Sequence, residues 1–246
     1  MRRWQVLLIG GLVGVASLLL VPFEVFLPMP GSSASVRFLA LINPAILTII
    51  AVFAGELTAQ RVGFRVPLVE AWIDSKALSD ILRSQIAPAL VVGAAVAVVL
   101  IGYNLTIGAR LIANAGSQAQ IASFDLPLGS KLLYGGITEE ILTRWGLVSV
   151  FAWLGWRLAG RPDTLPNVVV ASAVIGAAAL FAAGHLPLLF LIAPHASPAI
   201  VTTVLVANAL PGILFGALFV RRGLEAAMIA HASAHLLATI CLIALN

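Results

Sequence analysis

The chain has 246 residues, 61% of them hydrophobic and only 10% charged, with a net charge of +4 and a mean hydropathy of +1.08. A soluble domain is nearer half apolar and a quarter charged, so this composition excludes an ordinary water-soluble fold. The single cysteine excludes an internal disulfide framework and a cysteine-based metal cluster, and the basic excess needs no nucleic-acid partner, because Lys and Arg collect in the cytoplasmic loops of membrane proteins.

Several stretches run about 18 residues or more with almost no charge, the length that crosses a bilayer as a helix. No alternating pattern suggests a barrel. Seven spans are predicted, at roughly 4–28, 37–57, 87–108, 130–155, 167–193, 198–220 and 225–245. The first apolar run is too long for a signal-peptide core and reads as a retained span. Pro22 makes a broken, re-entrant first segment the alternative, and a count of eight spans stays open. The connection 58–86 is the only sizeable polar one; Leu68, Trp72, Leu78, Ile81 and Leu82 recur at helical spacing and predict an amphipathic interfacial helix. Connection 109–129 shows no strong periodicity. Cys241, in the last span, reads as a small apolar core residue. The fold class is therefore all-α, a polytopic bundle of about seven helices in one transmembrane domain.

Basic residues set the orientation. With the N-terminus inside, the inner ends and loops hold Arg2, Arg3, Arg61, Arg65, Lys76, Arg83, Arg157, Arg161, Arg221 and Arg222, and the outer side holds Arg37, Arg110 and Lys131. A multi-pass integral membrane protein follows, with a cytoplasmic N-terminus and an outer C-terminus. Trp153 and Trp156 beside Arg157 fit an interfacial aromatic belt.

One basic residue has no place at either face: Arg144 lies in the fourth span with Glu139 and Glu140. A charge near the middle of a membrane helix costs about 2.5–3.5 kcal/mol on insertion scales, so such residues face the protein interior and carry function. Glu140 and Arg144 are spaced to share a helix face and pair. Glu139 points about 100° away on a regular helix and has no partner there, which leaves its carboxylate for proton transfer. Gly135 and Gly136 leave space beside it. Three of the four histidines are also within spans: His185, with Phe181 one turn before it, and His231 and His235, one turn apart. His195 falls in an outer loop. Glu24 and Glu56, near span ends, are positioned to snorkel or cap. Asn208 is expected to satisfy backbone freed by Pro211.

The constellation resembles the CAAX prenyl protease and bacteriocin-processing family of intramembrane proteases, the type II CAAX endopeptidase-like group. The matching motifs are Glu139-Glu140-Ile-Leu-Thr-Arg144, Phe181-Ala-Ala-Gly-His185 and His231-Ala-Ser-Ala-His235, within residues 130–245; residues 1–129 carry no matching motif. The resemblance implies a membrane-embedded endopeptidase acting on a membrane-associated peptide or protein. In it Glu139 and His185 hold and activate water, His231 stabilises the oxyanion with the residue at 235, and Glu140, Arg144 and Phe181 support the site. No cofactor is implied. The departure is His235, where many members have an asparagine; it keeps open a zinc site on His185, His231 and His235. A transporter using the buried charges as a relay and a silent immunity or scaffold member are the rival readings.

Overall fold

A computed structural model describes residues 1–23, 33–108 and 126–245. The Glu24 and Arg110 assignments, and most of connection 109–129, lie outside the described residues. The described chain is helical throughout: α1 (Arg3–Ser17), α2 (Ser33–Thr58), α3 (Pro67–Ile73), α4 (Ser79–Tyr103), α5 (residues 128–158), α6 (Asn167–Ala183), α7 (Leu186–Ile192), α8 (Pro198–Arg222) and α9 (Leu224–Leu245). Six helical stretches among the described residues are long and apolar enough to cross a membrane: Arg3–Leu20, Ala34–Val62, Ser79–Gly108, Asn167–Leu191, Pro198–Arg222 and Leu224–Leu245. The outward faces are apolar too. On α2, Phe38, Ile42, Ile46, Ile50 and Leu57 are each at least half exposed. A water-soluble monomer does not present such a stripe, and a bilayer covers it.

Three boundaries differ from the predicted continuous segments, each for a local reason. The first span is interrupted after Leu20, as the alternative of a segment broken at Pro22 expected: Val21 is extended (φ −86°, ψ 127°), as the residue before a proline prefers, and residues 24–28 of that span lie outside the described residues. The connection 58–86 is not one amphipathic helix. It is a 3-10 turn (Ala59–Val62), the short α3 opened by Pro67, a turn, and then the first turns of α4. Gly63, at φ +81°, supplies the left-handed turn that separates the first two pieces. The fifth span breaks at Gly184–His185, where α6 ends and Pro187 starts α7. Cys241 is exposed on the outer face of α9, not in the core. Every core position of that helix is taken by a smaller side chain or by Glu225, His231 and Leu224.

The basic end of the bundle is tied together. Arg3 is 9% exposed and makes a two-pronged contact with Glu56 (2.9 and 2.7 Å), with Glu70 at 3.5 Å. Glu56, expected only to snorkel or cap, is thus an ion-pair partner. Arg65 also meets Glu70, at 2.7 Å, while Arg61 and Arg157 flank the Trp153 ring. The buried Glu225 carboxylate accepts the Val69 N–H (3.0 Å) and so satisfies a donor at the start of α3.

Close helix contacts hold α5 at the centre. α1 packs along its first half, where the Thr138 hydroxyl donates to the Gly11 carbonyl (2.8 Å), and α2 packs along its second. Trp145, fully buried on α5, donates to the Val52 carbonyl of α2 (3.2 Å), and Gly55 admits its ring. A Cβ at Gly55 would stand 2.5 Å from the Trp145 carbonyl oxygen. Gly55→Ala is therefore expected to cost about 1–3 kcal/mol, read as a lower melting temperature in detergent. Gly102→Ala, where nothing lies within 4 Å, is the control and should leave stability unchanged or slightly raised.

Candidate active site

Helix α5 is not a regular α-helix where its charges lie. Two π-helical stretches, Lys131–Glu139 and Ile141–Val148, flank Glu140. Their i→i+5 bonding widens each turn, and π-turns of this kind occur frequently at functional sites. No motif in the sequence announces this winding.

Glu140 and Arg144 point into the bundle, at 0% and 1% exposure, and pair at 3.1 Å. The same Glu140 oxygen lies 2.7 Å from His231 Nδ1. A carboxylate only accepts, so His231 carries its proton on Nδ1 and donates it there. This bond was not legible from the sequence, which gave Glu140 only to Arg144. Arg144 also donates to the Thr143 hydroxyl and to the Gly212 carbonyl (3.1 Å). Its guanidinium sits between the rings of Phe181 and Phe215, 5.6 and 5.5 Å from their centres. The buried cation is thereby matched by a carboxylate and two π-faces.

Glu139 faces elsewhere. Its side chain is 21% exposed, and one oxygen lies 3.9 Å from His231 Nε2. His185 stands at the break between α6 and α7, its ring edge-on to Phe181 at 4.8 Å. Its Nδ1 is 2.9 Å from the Phe181 carbonyl. A carbonyl only accepts, so the proton is again on Nδ1, and Nε2 of a neutral ring is left as an acceptor. His231 and His235 stack with centres 5.0 Å apart, and their Nε2 atoms are 3.2 Å apart, so one of the two donates to the other. Phe215 also stacks on His231, with ring centres 4.8 Å apart.

Glu139, His185, His231 and His235 all line one narrow cavity of about 130 Å³, with Tyr134, Gly135, Phe181, Asn208 and Phe215 also in its wall. Glu139 and His185 additionally border an apolar groove of about 650 Å³ between α2, α5 and α6. Of the two glycines, Gly135 opens onto the cavity: a Cβ there would stand 3.3 Å from His235 Nε2. Gly136 instead lets α9 close on α5, since its Cβ would stand 2.9 Å from that of Ala232. Asn208 donates to the Val204 carbonyl (2.8 Å), not to the Ala207 carbonyl that Pro211 frees, because its side chain folds back along α8 beside the cavity. Tyr134 and Phe215 belong to the wall as well, and neither stands out in an apolar helix by sequence. His195 is exposed and apart from this site.

Among the described residues, no group of three or more His, Cys, Asp and Glu side chains is arranged to hold a metal ion. His231 and His235 are neighbours, but the geometry does not assemble the set His185, His231 and His235 around one centre.

Neither a curated protein nor a solved structure matches the chain. Residues 126–237 match the family model described as type II CAAX prenyl endopeptidase Rce1-like. That stretch holds Glu139, Glu140, Arg144, Phe181, His185, His231 and His235, and leaves α1 to α4 outside it. The chain contains an Rce1-like CAAX protease domain over residues 126–237.

Proposed function

We propose that the protein is an intramembrane endopeptidase in which Glu139 and His185 activate water for attack on a peptide bond. The observation that carries this reading is the shared cavity. A carboxylate and an imidazole acceptor border the same narrow space, with two further imidazoles beside them. Water has two protons to donate, and Glu139 and His185 Nε2 offer two acceptors, which leaves a lone pair for the carbonyl carbon. Glu139 then takes a proton and returns it to the leaving amine.

His231 and His235 stand ready for the oxyanion. With Nδ1–H given to Glu140, His231 donates from Nε2 only as an imidazolium; otherwise the donor is His235. In the imidazolium form the buried cluster balances, with Glu139 and Glu140 against Arg144 and His231. A preorganised donor at a developing oxyanion is worth about 2.7–4 kcal/mol. A helix is about 10–12 Å across with its side chains, too wide for this cavity, so the substrate must be extended at the scissile bond.

In this reading α5 is a seventh span. Its charges are directed inward, and its flanks pack on α1, α2 and α9. The N-terminus is cytoplasmic, a reading supported by the contacts that gather Arg3, Arg61, Arg65 and Arg157 at one end of the bundle. The catalytic helices are 130–245, and the substrate is a peptide or protein segment in the bilayer.

The mechanism uses no metal. Purified protein cleaving a membrane-anchored peptide is expected to keep its activity through a chelator titration and to carry far less than one zinc per chain. Near-stoichiometric zinc, with activity lost on chelation and restored by metal, would overturn it.

A further inference from the structure

Hydrogen-bond donors free to serve the cavity are scarce, because most of its polar groups are already engaged. His231 gives its Nδ1 hydrogen to Glu140, and the hydrogen between the Nε2 atoms of His231 and His235, 3.2 Å apart, is held between the two rings. His185 donates to the Phe181 carbonyl, and the Ser130 hydroxyl to the Ser17 carbonyl (2.8 Å). Lys131 has a partner of its own. Tyr134 lies within electrostatic reach of the Glu139 carboxylate, which competes for its O–H. Asn208 is different. Its amide nitrogen carries two hydrogens, of which one goes to the Val204 carbonyl (2.8 Å); the second, like the Oδ1 lone pairs, has no partner among the described residues. The half-buried side chain borders both the 130 Å³ cavity and a neighbouring one of about 200 Å³, and His185 borders the same two. One turn further along α8, the Gly212 carbonyl accepts Arg144 (3.1 Å) and Phe215 stacks on His231, so the helix that carries Asn208 is held in register with α5 and α9.

We propose that Asn208 is a catalytic residue, a hydrogen-bond donor from α8 to the oxyanion of the tetrahedral intermediate. The inference rests on the endopeptidase reading and adds a residue to it. In the attack step the water oxygen bonds to the carbonyl carbon, Glu139 takes the water proton, and the carbonyl π pair moves onto oxygen. That oxygen then accepts the free Asn208 N–H. On collapse the pair returns, the carbon–nitrogen bond breaks, and the proton on Glu139 passes to the leaving amine. A neutral amide keeps both hydrogens at any working pH and moves no proton, so the donor is in place before charge develops. The histidine pair lacks that property: its donor must first be protonated or give up the bond between the rings. An oxyanion has lone pairs for both, one donor from α9 and one from α8.

The test uses the full chain in liposomes with a pool of N-acylated decapeptides, their products identified by mass spectrometry. The peptide cut fastest supplies two probes: itself, and a trifluoromethyl ketone ending at the scissile carbonyl, whose hydrate mimics the tetrahedral intermediate. Asn208→Ala is expected to lower kcat about 10²–10³-fold and to move KM less than about threefold, the mark of an interaction made only in the transition state. The ketone should inhibit the wild type at concentrations below the KM of the parent peptide, and Asn208→Ala should weaken it at least about tenfold. The same weakening in a His185→Ala background, read as ketone affinity, shows that Asn208 meets the oxygen itself and does not act through His185. The fold should hold, because the Val204 carbonyl is interior to α8 and keeps its backbone donor four residues on. KM and ketone affinity do not depend on the folded fraction, so a partly misfolded preparation does not mimic the result. A wild type that cleaves the pool while Asn208→Ala keeps kcat within about threefold would overturn the assignment. So would a ketone no tighter than the parent peptide, a ketone affinity unchanged by Asn208→Ala, or a loss that disappears when His185 is Ala. Absence of cleavage of every peptide by the wild type would overturn the endopeptidase reading, and this one with it.

Discussion

Glu139→Gln is expected to abolish peptide hydrolysis and to leave a folded protein. The carboxylate is partly exposed to the cavity and makes no ion pair shorter than 3.9 Å among the described residues. Its backbone carbonyl, not its side chain, holds the Thr143 hydroxyl at 2.5 Å. The substitution therefore removes little that holds the bundle together, and stability should change by no more than about 1 kcal/mol. Chemistry suffers far more. An amide cannot take a proton from water, and its NH2 would offer a donor where the water needs an acceptor. Loss of a positioned general base costs about 10²–10⁴ in rate. Turnover of a membrane-anchored peptide and the melting temperature in detergent, measured on one preparation, check both halves. Full turnover with Gln at this position would reassign the base.

Glu140→Gln is expected to act in the opposite proportion. Glu140 is fully buried, and one of its oxygens serves both Arg144 (3.1 Å) and His231 (2.7 Å). Removing its charge leaves the guanidinium uncompensated in an apolar interior, which typically costs about 3–5 kcal/mol. The melting temperature should fall steeply, or the yield of monodisperse protein collapse. Removing both charges, in Glu140→Gln with Arg144→Met, should recover part of the loss, because the cost comes from orphaning a partner and not from missing the pair. Activity should stay low in the double variant, since His231 no longer has a carboxylate to hold its ring. A Glu140→Gln protein as stable as the original would show that the pair is not structural.

The membrane class and the motif residues were legible because both depend on cost. Only a bilayer tolerates this composition, and only an inward-facing role tolerates Glu139, Glu140 and Arg144 in one span. What stayed hidden depends on geometry between helices. The Glu140–His231 bond joins α5 to α9, and no spacing rule relates residues so far apart in sequence. The π-winding of α5 has no compositional signature, and the 100° step of a regular helix does not hold around Glu139. Two breaks in the helices do have sequence signals. Gly184 followed by Pro187 marks a helix stop and restart, and it places His185 at the resulting break. Pro67 behind Gly63 likewise marks a new helix start inside the 58–86 connection. Arg3 could be counted for orientation but not paired, since Glu56 and Glu70 reach it only once α1, α2 and α3 are in place.

The most direct measurement is isotope incorporation during cleavage of a membrane-anchored peptide by the purified chain in liposomes prepared in H2¹⁸O. Attack by water held at Glu139 and His185 predicts two new peptides, the N-terminal one carrying ¹⁸O in its new C-terminal carboxyl. It also predicts no labelled product above background from Glu139→Gln or His185→Ala. Labelled product formed equally by the wild type and by both variants would contradict it.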